Sequence, residues 1–195
     1  MKNTLVNSAW PFYVDHVENY AFYKEAFSIE ECNKIISIGK NNSLEKATTL
    51  GKKTKNYRNS NIFWIYPNSE TEWIFRKLTD IILDLNSNFF KFELYGMVEG
   101  LQFTHYKQPD GQYKKHVDRA LNTKTRKLSI SIQLSNPKSY KGGELYLYGS
   151  EEGDIVPKEQ GTLIAFPSYS LHEVKPVTKG ERFSLVCWIT GPAFK

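Results

Sequence analysis

Residues 127–135 read Lys-Leu-Ser-Ile-Ser-Ile-Gln-Leu-Ser. Leu128, Ile130, Ile132 and Leu134 fall on one side of an extended chain, and Ser129, Ser131 and Gln133 fall on the other, because side chains in a strand alternate with a period of two. One face is therefore suited to a core. The polar face either meets solvent or lines a pocket, and the stretch alone leaves both open. Five neighbouring segments have the same character: residues 91–98, 101–107, 143–149, 161–167 and 182–190 are short and rich in β-branched or aromatic side chains. Pro109-Asp110-Gly111, Gly142-Gly143 and Pro176 supply turns between segments. Two helices are expected upstream. Ser28-Ile29-Glu30-Glu31 is a capping box followed by Cys32, Ile35, Ile36 and Ile38, which predicts a helix over 29–40. Ser69-Glu70-Thr71-Glu72 is a second box, and Trp73, Ile74, Leu78, Ile81, Ile82 and Leu85 follow at helical spacing, predicting a helix over 70–86. Helices first and strands afterwards give an α+β class, with helices on one face of a mostly antiparallel sheet pair.

The length of 195 residues suits a single domain with a sizeable core. No apolar run reaches the length of a membrane span, and residues 1–20 lack the basic start and apolar stretch of a signal peptide. A membrane partner is therefore not expected. Cys32 and Cys187 sit in apolar-patterned segments and are expected to be buried free thiols of a cytoplasmic protein. The net charge of +5 is compatible with an acidic or nucleic-acid partner. It does not require one, since lysine-rich surfaces are often only solvated, and nucleic acid is not expected. Residues 1–26 are too aromatic for a disordered tail and should pack on the domain. Residues 41–60 are polar and lysine-rich, as an exposed loop or hairpin would be.

The chemistry is concentrated in His116-x-Asp118, His172 and Arg182. His-x-Asp on an extended segment would place both side chains on one face, within reach of one ion. Two imidazoles and a carboxylate hold an iron(II) ion on one side and leave the opposite positions open. Zinc also accepts this donor set; the order and spacing of the residues favour iron. His16 is expected to be a surface or packing residue.

The stretch from His105 to Asp118, His-Tyr-Lys-Gln-Pro-Asp-Gly-Gln-Tyr-Lys-Lys-His-Val-Asp, resembles the signature of prolyl 4-hydroxylases. Residues 134–137, 140–145, 166–168 and 172–182 are similar to the PKHD-type branch, as are Phe27–Cys32 and Arg58-Asn59-Ser60. The resemblance covers roughly residues 26–190. It implies a double-stranded β-helix (jelly-roll) with supporting N-terminal helices, the whole of 1–195 forming one oxygenase domain with 1–26 as an aromatic extension and 27–195 as the β-helix domain. It implies an iron(II)- and 2-oxoglutarate-dependent dioxygenase that hydroxylates a prolyl residue in a peptide or protein, using molecular oxygen and releasing succinate and carbon dioxide, with ascorbate as reductant. A related oxygenase for another residue or a small molecule, and a catalytically silent jelly-roll binding domain, are the competing readings.

By the same resemblance His116, Asp118 and His172 hold the iron, and Arg182 pairs with the distal carboxylate of 2-oxoglutarate, a task suited to a forked, permanently charged group. Tyr106 lines the cosubstrate pocket, so His105, its neighbour in the strand, points away. Many prolyl hydroxylases carry a further tyrosine where this chain has Gln133; Gln133, Ser131 or Tyr106 is expected to take over its contact. Tyr113, Arg58 and Trp188 are the expected substrate contacts, with ordinary core packing as the rival role for Trp188. The loop over 43–61, with Lys52, Lys53, Lys55 and Tyr57, is expected to close over the substrate. Gly142-Gly143 should permit a turn in which a side chain would clash.

Overall fold

The computed structural model describes residues 4–7, 10–14, 16–48, 57–120 and 122–193. Strands β1 (Thr4–Asn7) and β2 (Trp10–Val14) pair with each other as a separate hairpin. Then come β3 (Ala21–Tyr23), helix α1 (Ile29–Lys40), β4 (Glu45–Lys46), β5 (Arg58–Asn59), β6 (Asn61–Ile65) and helix α2 (Glu72–Leu85). A π-helical turn (Asn86–Phe90) leads to β7 (Gly96–Met97), β8 (Leu101–Lys107), β9 (Gly111–His116) and β10 (Arg126–Gln133). The chain ends with β11 (Lys141–Gly142), β12 (Leu145–Tyr148), β13 (Asp154–Ile155), β14 (Leu163–Pro167), β15 (Leu171–Lys179) and β16 (Glu181–Thr190).

Among the described residues these strands form two larger antiparallel sheets. The major sheet runs β3-β14-β10-β16-β8-β6-β4, with β7 also on β16; the minor sheet runs β13-β12-β15-β9-β5, with β11 also on β15. From β8 onward the long strands alternate between them: β8, β10, β14 and β16 in the major sheet, β9, β12 and β15 in the minor one. The sheets face each other, since Tyr106, Ile164 and Phe166 of the major sheet pack with Leu145, Leu147, Val174 and Val177 of the minor sheet. This is the jelly-roll arrangement.

The other face of the major sheet carries the helices. Leu128, Ile130 and Ile132 of β10 and Phe183, Leu185, Cys187 and Ile189 of β16 pack with Cys32 and Ile35 of α1 and with Ile74, Leu78, Ile82 and Leu85 of α2. The polar side of residues 127–135 therefore turns toward the minor sheet. Ser129, Ser131 and Gln133 are all buried there, so this face lines a pocket and does not meet solvent.

Helix α1 begins as the capping box requires: Glu31 N donates to Ser28 Oγ at 3.2 Å and Ser28 N to Glu31 Oε2 at 2.7 Å. Helix α2 departs from the expected start. Thr71 occupies the N-cap without a side-chain capping bond. Its hydroxyl donates instead to Tyr66 O at 2.7 Å, while Asn68 Oδ1 accepts from Glu70 N and Thr71 N. An asparagine-centred turn thus displaces the Ser69 box. The strand expected over 91–98 shrinks to Gly96–Met97. The Asn86 side chain donates to Phe92 O at 2.9 Å and accepts from Phe92 N at 3.0 Å, occupying backbone groups that a strand ladder would have used. Within the expected loop, β4 pairs with β6 and β5 with β9; Lys52, Lys53 and Lys55 lie outside the described residues. Of the aromatic N-terminal stretch, Ala21–Tyr23 adds an edge to the major sheet beside β14. No helix among the described residues is long and apolar enough to cross a membrane.

Leu185 of β16 is fully buried in the core that the major sheet shares with the helices, whereas Leu83 on α2 is 58% exposed. Leu185→Ala should cost about 2–5 kcal/mol in equilibrium urea unfolding and Leu83→Ala no more than about 0.5 kcal/mol. Equal costs would mean that the helix-facing core is misplaced.

Candidate active site

The site lies between the sheets. His116 is the last residue of β9 and stands opposite His172 of β15 in the ladder, with ring centroids 4.1 Å apart. Asp118 is not on the same strand face, as a continuous strand would have placed it. The strand ends at His116, and the chain bends so that Asp118 N and Arg119 N donate to Ser168 O at 3.0 and 2.8 Å. Thr123 Oγ1 donates to Asp118 O at 2.7 Å and fixes the bend. The carboxylate then reaches both rings: Oδ1 is 3.7 Å from His116 Nε2 and Oδ2 is 3.5 Å from His172 Nε2. One donor atom from each of His116, Asp118 and His172 lies within 4.8 Å of the others, a group that could hold a metal ion.

Each ring is oriented by the carbonyl two residues earlier. His116 Nδ1 is 2.7 Å from Lys114 O, and His172 Nδ1 is 2.9 Å from Ser170 O. A carbonyl only accepts, so Nδ1 carries the proton and the Nε2 lone pair is free for a cation. Burial, and then His172, push the His116 imidazole well below its ordinary range. Burial of Asp118 opposes ionisation, but His172, His116 and the Ser129 hydroxyl outweigh it and hold the carboxyl below its usual range. Ser129 Oγ donates to Asp118 Oδ2 at 2.7 Å. The Trp188 indole N–H acts on the same carboxylate in the same sense while lying outside hydrogen-bonding geometry. An ionised carboxylate and a proton-free His116 Nε2 are the state a metal requires.

The cavity above these donors has a volume of about 490 Å³. Its wall follows from strand alternation. Gln102, Thr104 and Tyr106 of β8 face it, as do Arg182, Ser184, Val186 and Trp188 of β16. His105 takes the opposite face, stacked on Phe183 at 4.6 Å, with Nε2 3.3 Å from Glu181 Oε1. His16 is an exposed residue 3.1 Å from Glu18.

Arg182 is 1% exposed. Its Nη2 donates to Gln133 Oε1 at 2.8 Å, but Nε and Nη1 are buried without a partner. No carboxylate among the described residues pairs with it. A buried guanidinium without a counter-ion is strongly destabilising, and such a site is suited to an anion supplied by a ligand. The Tyr106 ring lies 5.3 Å from the guanidinium carbon. Ser131 is on the cavity wall, whereas Gln133 meets Arg182 without lining the cavity. Gly143, at φ +68°, makes room for the arginine stem: a Cβ there would stand 3.0 Å from Arg182 Cδ and 2.9 Å from Val177 Cγ2. At Gly142 a Cβ would strike Pro176 O at 2.1 Å, as the expected tight turn implies.

Tyr113 stacks on His116 with ring centroids 3.4 Å apart, and Arg58 lies 4.5 Å over the other neighbour in this pile, the Tyr113 ring. Burial pushes the Tyr113 phenol up to about 12, so it stays protonated. Trp188 is buried and also faces the cavity, so core and wall are one role here. Arg126 stacks on Trp188 at 3.8 Å and is paired with Glu99 at 2.8 and 2.5 Å. Sequence reasoning did not single out Ser168, Glu99, Arg126, Gln102 or Trp64 for the site. The alternation of residues 101–107 carried a signal for Gln102, since Tyr106 fixes the face. Glu99 and Arg126 meet only through the fold.

Residues 101–190 match the model of the 2OG-Fe(II) oxygenase superfamily. That stretch, somewhat under half of the chain, is similar to a 2OG-Fe(II) oxygenase domain. Its curated relatives include a PKHD-type hydroxylase from Picosynechococcus sp., 40% identical over 93 residues that cover 47% of this chain and 42% of the relative. Another, from Synechococcus elongatus, is 33% identical over 129 residues, covering 62% of this chain and 57% of the relative. The chain thus spans about half the length of the curated relatives it matches. Among solved structures, a Pseudomonas putida prolyl-4-hydroxylase superposes with a TM-score of 0.72 at 20% identity, covering 90% of this chain and 94% of that one. A Trichoplax adhaerens prolyl hydroxylase, in complex with a peptide fragment of the hypoxia inducible factor oxygen degradation domain, gives 0.75 at 15% identity, covering 88% and 83%. These likenesses establish the fold. The superfamily uses iron(II) and 2-oxoglutarate, and the residues present fit both: a His-Asp-His donor set and a buried, unpaired guanidinium on one cavity.

His116→Ala and Asp118→Ala should abolish tight iron(II) binding in a competition titration with a metal indicator. Ser129→Ala, which removes the hydrogen bond to Asp118 and leaves the donors in place, should weaken it by about 10–100-fold. Unchanged affinity in either ligand variant would place the metal elsewhere.

Proposed function

We propose that this protein is an iron(II)- and 2-oxoglutarate-dependent dioxygenase that hydroxylates a prolyl residue in a peptide or protein. The observation that carries the reading is the buried Arg182 guanidinium, two of whose nitrogens lack a partner, on the cavity that also holds the His116, Asp118 and His172 donors. In this reading His116, Asp118 and His172 bind the metal. Arg182 receives the distal carboxylate of 2-oxoglutarate, with Tyr106 and Ser131 forming the wall and Gln133 holding the guanidinium in place. When bound, iron(II) would activate molecular oxygen, the oxidant, with 2-oxoglutarate as the two-electron reductant that leaves as carbon dioxide and succinate; one oxygen atom would go into succinate and the other into a C–H bond of the substrate.

The chain's own residues position and shield. Tyr113, Arg58 and Trp188 form the substrate side of the cavity, and aromatic walls suit the extended, low-entropy backbone around proline. The peptide bound to the Trichoplax neighbour and the PKHD-type relatives support a prolyl substrate. We treat residues 1–195 as one oxygenase domain with 1–26 as its extension, a reading that the pairing of Ala21–Tyr23 with β14 favours. Two buried free cysteines favour a reducing compartment, in keeping with a cytoplasmic protein.

Arg182→Ala should weaken 2-oxoglutarate binding by well over tenfold, since stripping one partner from a buried charge pair costs about 2–5 kcal/mol. Isothermal titration of the manganese(II)-loaded protein measures this without turnover. An unchanged affinity would mean that another cation takes the carboxylate. Mass spectrometry of proline-containing peptides incubated with iron(II), 2-oxoglutarate and ascorbate should find one added oxygen on proline. Succinate formation with oxygen appearing only on a small molecule would replace the peptide by that substrate, and no succinate under any condition would leave a silent binding domain.

A further inference from the structure

We infer that the substrate carries a carboxylate close to the carbon that reacts, and that Arg58 holds it. This rests on the oxygenase reading above and adds the charge of the substrate to it.

Arg58 is fixed by the fold and not by a long flexible loop. The two-residue strand β5 pairs with β9 and sets Arg58 directly opposite Tyr113. The guanidinium lies 4.5 Å over the Tyr113 ring, which stacks at 3.4 Å on His116. Arg58 and His116 thus both contact the Tyr113 ring, and Arg58 lines the same cavity. Its hydrogen bonds go to neutral acceptors: Nε to Ser60 Oγ at 3.0 Å and Nη2 to Gln102 Oε1 at 2.7 Å. Those two contacts orient the fork and leave its remaining N–H groups for a ligand. No carboxylate among the described residues pairs with it.

The second cavity-lining arginine of this region shows the contrast. Arg126 is held by both oxygens of Glu99, at 2.8 and 2.5 Å, so its charge is already met. With both cofactors bound, the iron(II) ion and the 2-oxoglutarate dianion offset each other, Asp118 offsets Arg182, and Glu99 offsets Arg126. Among the described residues that line the cavity, Arg58 is the cation left over. A half-buried guanidinium with its donors preset is suited to a carboxylate, which it can bind through two parallel hydrogen bonds. The carboxylate could belong to an acidic residue beside the target proline or to the α-carboxylate of a small substrate, and the test separates these.

Binding is measured by quenching of tryptophan fluorescence, since Trp64 and Trp188 both line the cavity. The protein is loaded with manganese(II) and 2-oxoglutarate so that no turnover occurs. Two ligand pairs are compared: a peptide with Asp next to proline against the same peptide with Asn, and N-acetylproline against N-acetylprolinamide. In at least one pair the carboxylate ligand should bind about tenfold or more tightly than its amide, the worth of a charge-assisted hydrogen bond. Arg58→Gln should bring that ratio close to one, and Arg58→Lys should keep part of it. Titration of each variant with 2-oxoglutarate first verifies that it is folded. A preference confined to the N-acetylproline pair keeps the anchor and removes the peptide from the functional reading. No preference in either pair, or a preference that persists in Arg58→Gln, overturns the inference and leaves the oxygenase reading to stand or fall on the titration of Arg182→Ala.

Discussion

The pleat of three neighbouring strands is the constraint on which the rest of the structure depends. In β8, β10 and β16 each successive side chain must point to the opposite face of the major sheet. One face meets the helices and is apolar; the other meets the minor sheet and carries Gln102, Thr104, Tyr106, Ser129, Ser131, Gln133, Arg182 and Ser184. A slip of one residue in any of these registers would bury serine, glutamine or arginine against Cys32 and Ile35 and expose leucine to the cavity. The hydrophobic cost of that exchange fixes the register, and the register places the polar side chains. Stability and the site therefore have a common cause.

The site is held together by charge as much as by packing. Asp118 is ionised among two imidazoles and a hydroxyl, and the burial that would oppose this is outweighed by those neighbours. Arg182 has no such compensation, with two buried nitrogens unpartnered. Removing one partner from a buried ion pair is costly, so a buried arginine of this kind is suited to an anion supplied by a ligand. The glycine at 143 belongs to the same arrangement, since a Cβ there would crowd the stem of Arg182. The cavity is thus cationic at Arg182 and Arg58, whereas the third arginine on its wall, Arg126, is paired with Glu99.

Much of this was legible in the chain. The alternation of residues 127–135, the capping box at Ser28 and the apolar stripe of the second helix each follow from one local rule, and each is present in the structure. Local rules failed where side chains competed for backbone groups. Asn68 displaced the second capping box, and Asn86 took the backbone of Phe92 that a strand would have used. The strand rule behind the His-x-Asp motif did not contain the way Asp118 comes near His116, since Asp118 lies past the strand end and is steered by Ser168, the turn residue just after β14.

The sequence by itself determined which residue types could bind a metal and an anion, which faces of the strands are apolar, and that helices precede a sheet pair. Those properties depend on chemistry and on periods of two and 3.6, which a linear chain displays. Only the tertiary structure decided that the polar face of β10 meets a cavity and not solvent, that Arg126 is neutralised and Arg58 is not, and that Ser129 supports Asp118. Each of these is a contact between segments distant in sequence, brought about when the two sheets close on each other. Burial then decides whether a charge keeps water or needs a partner, and no local pattern contains that information.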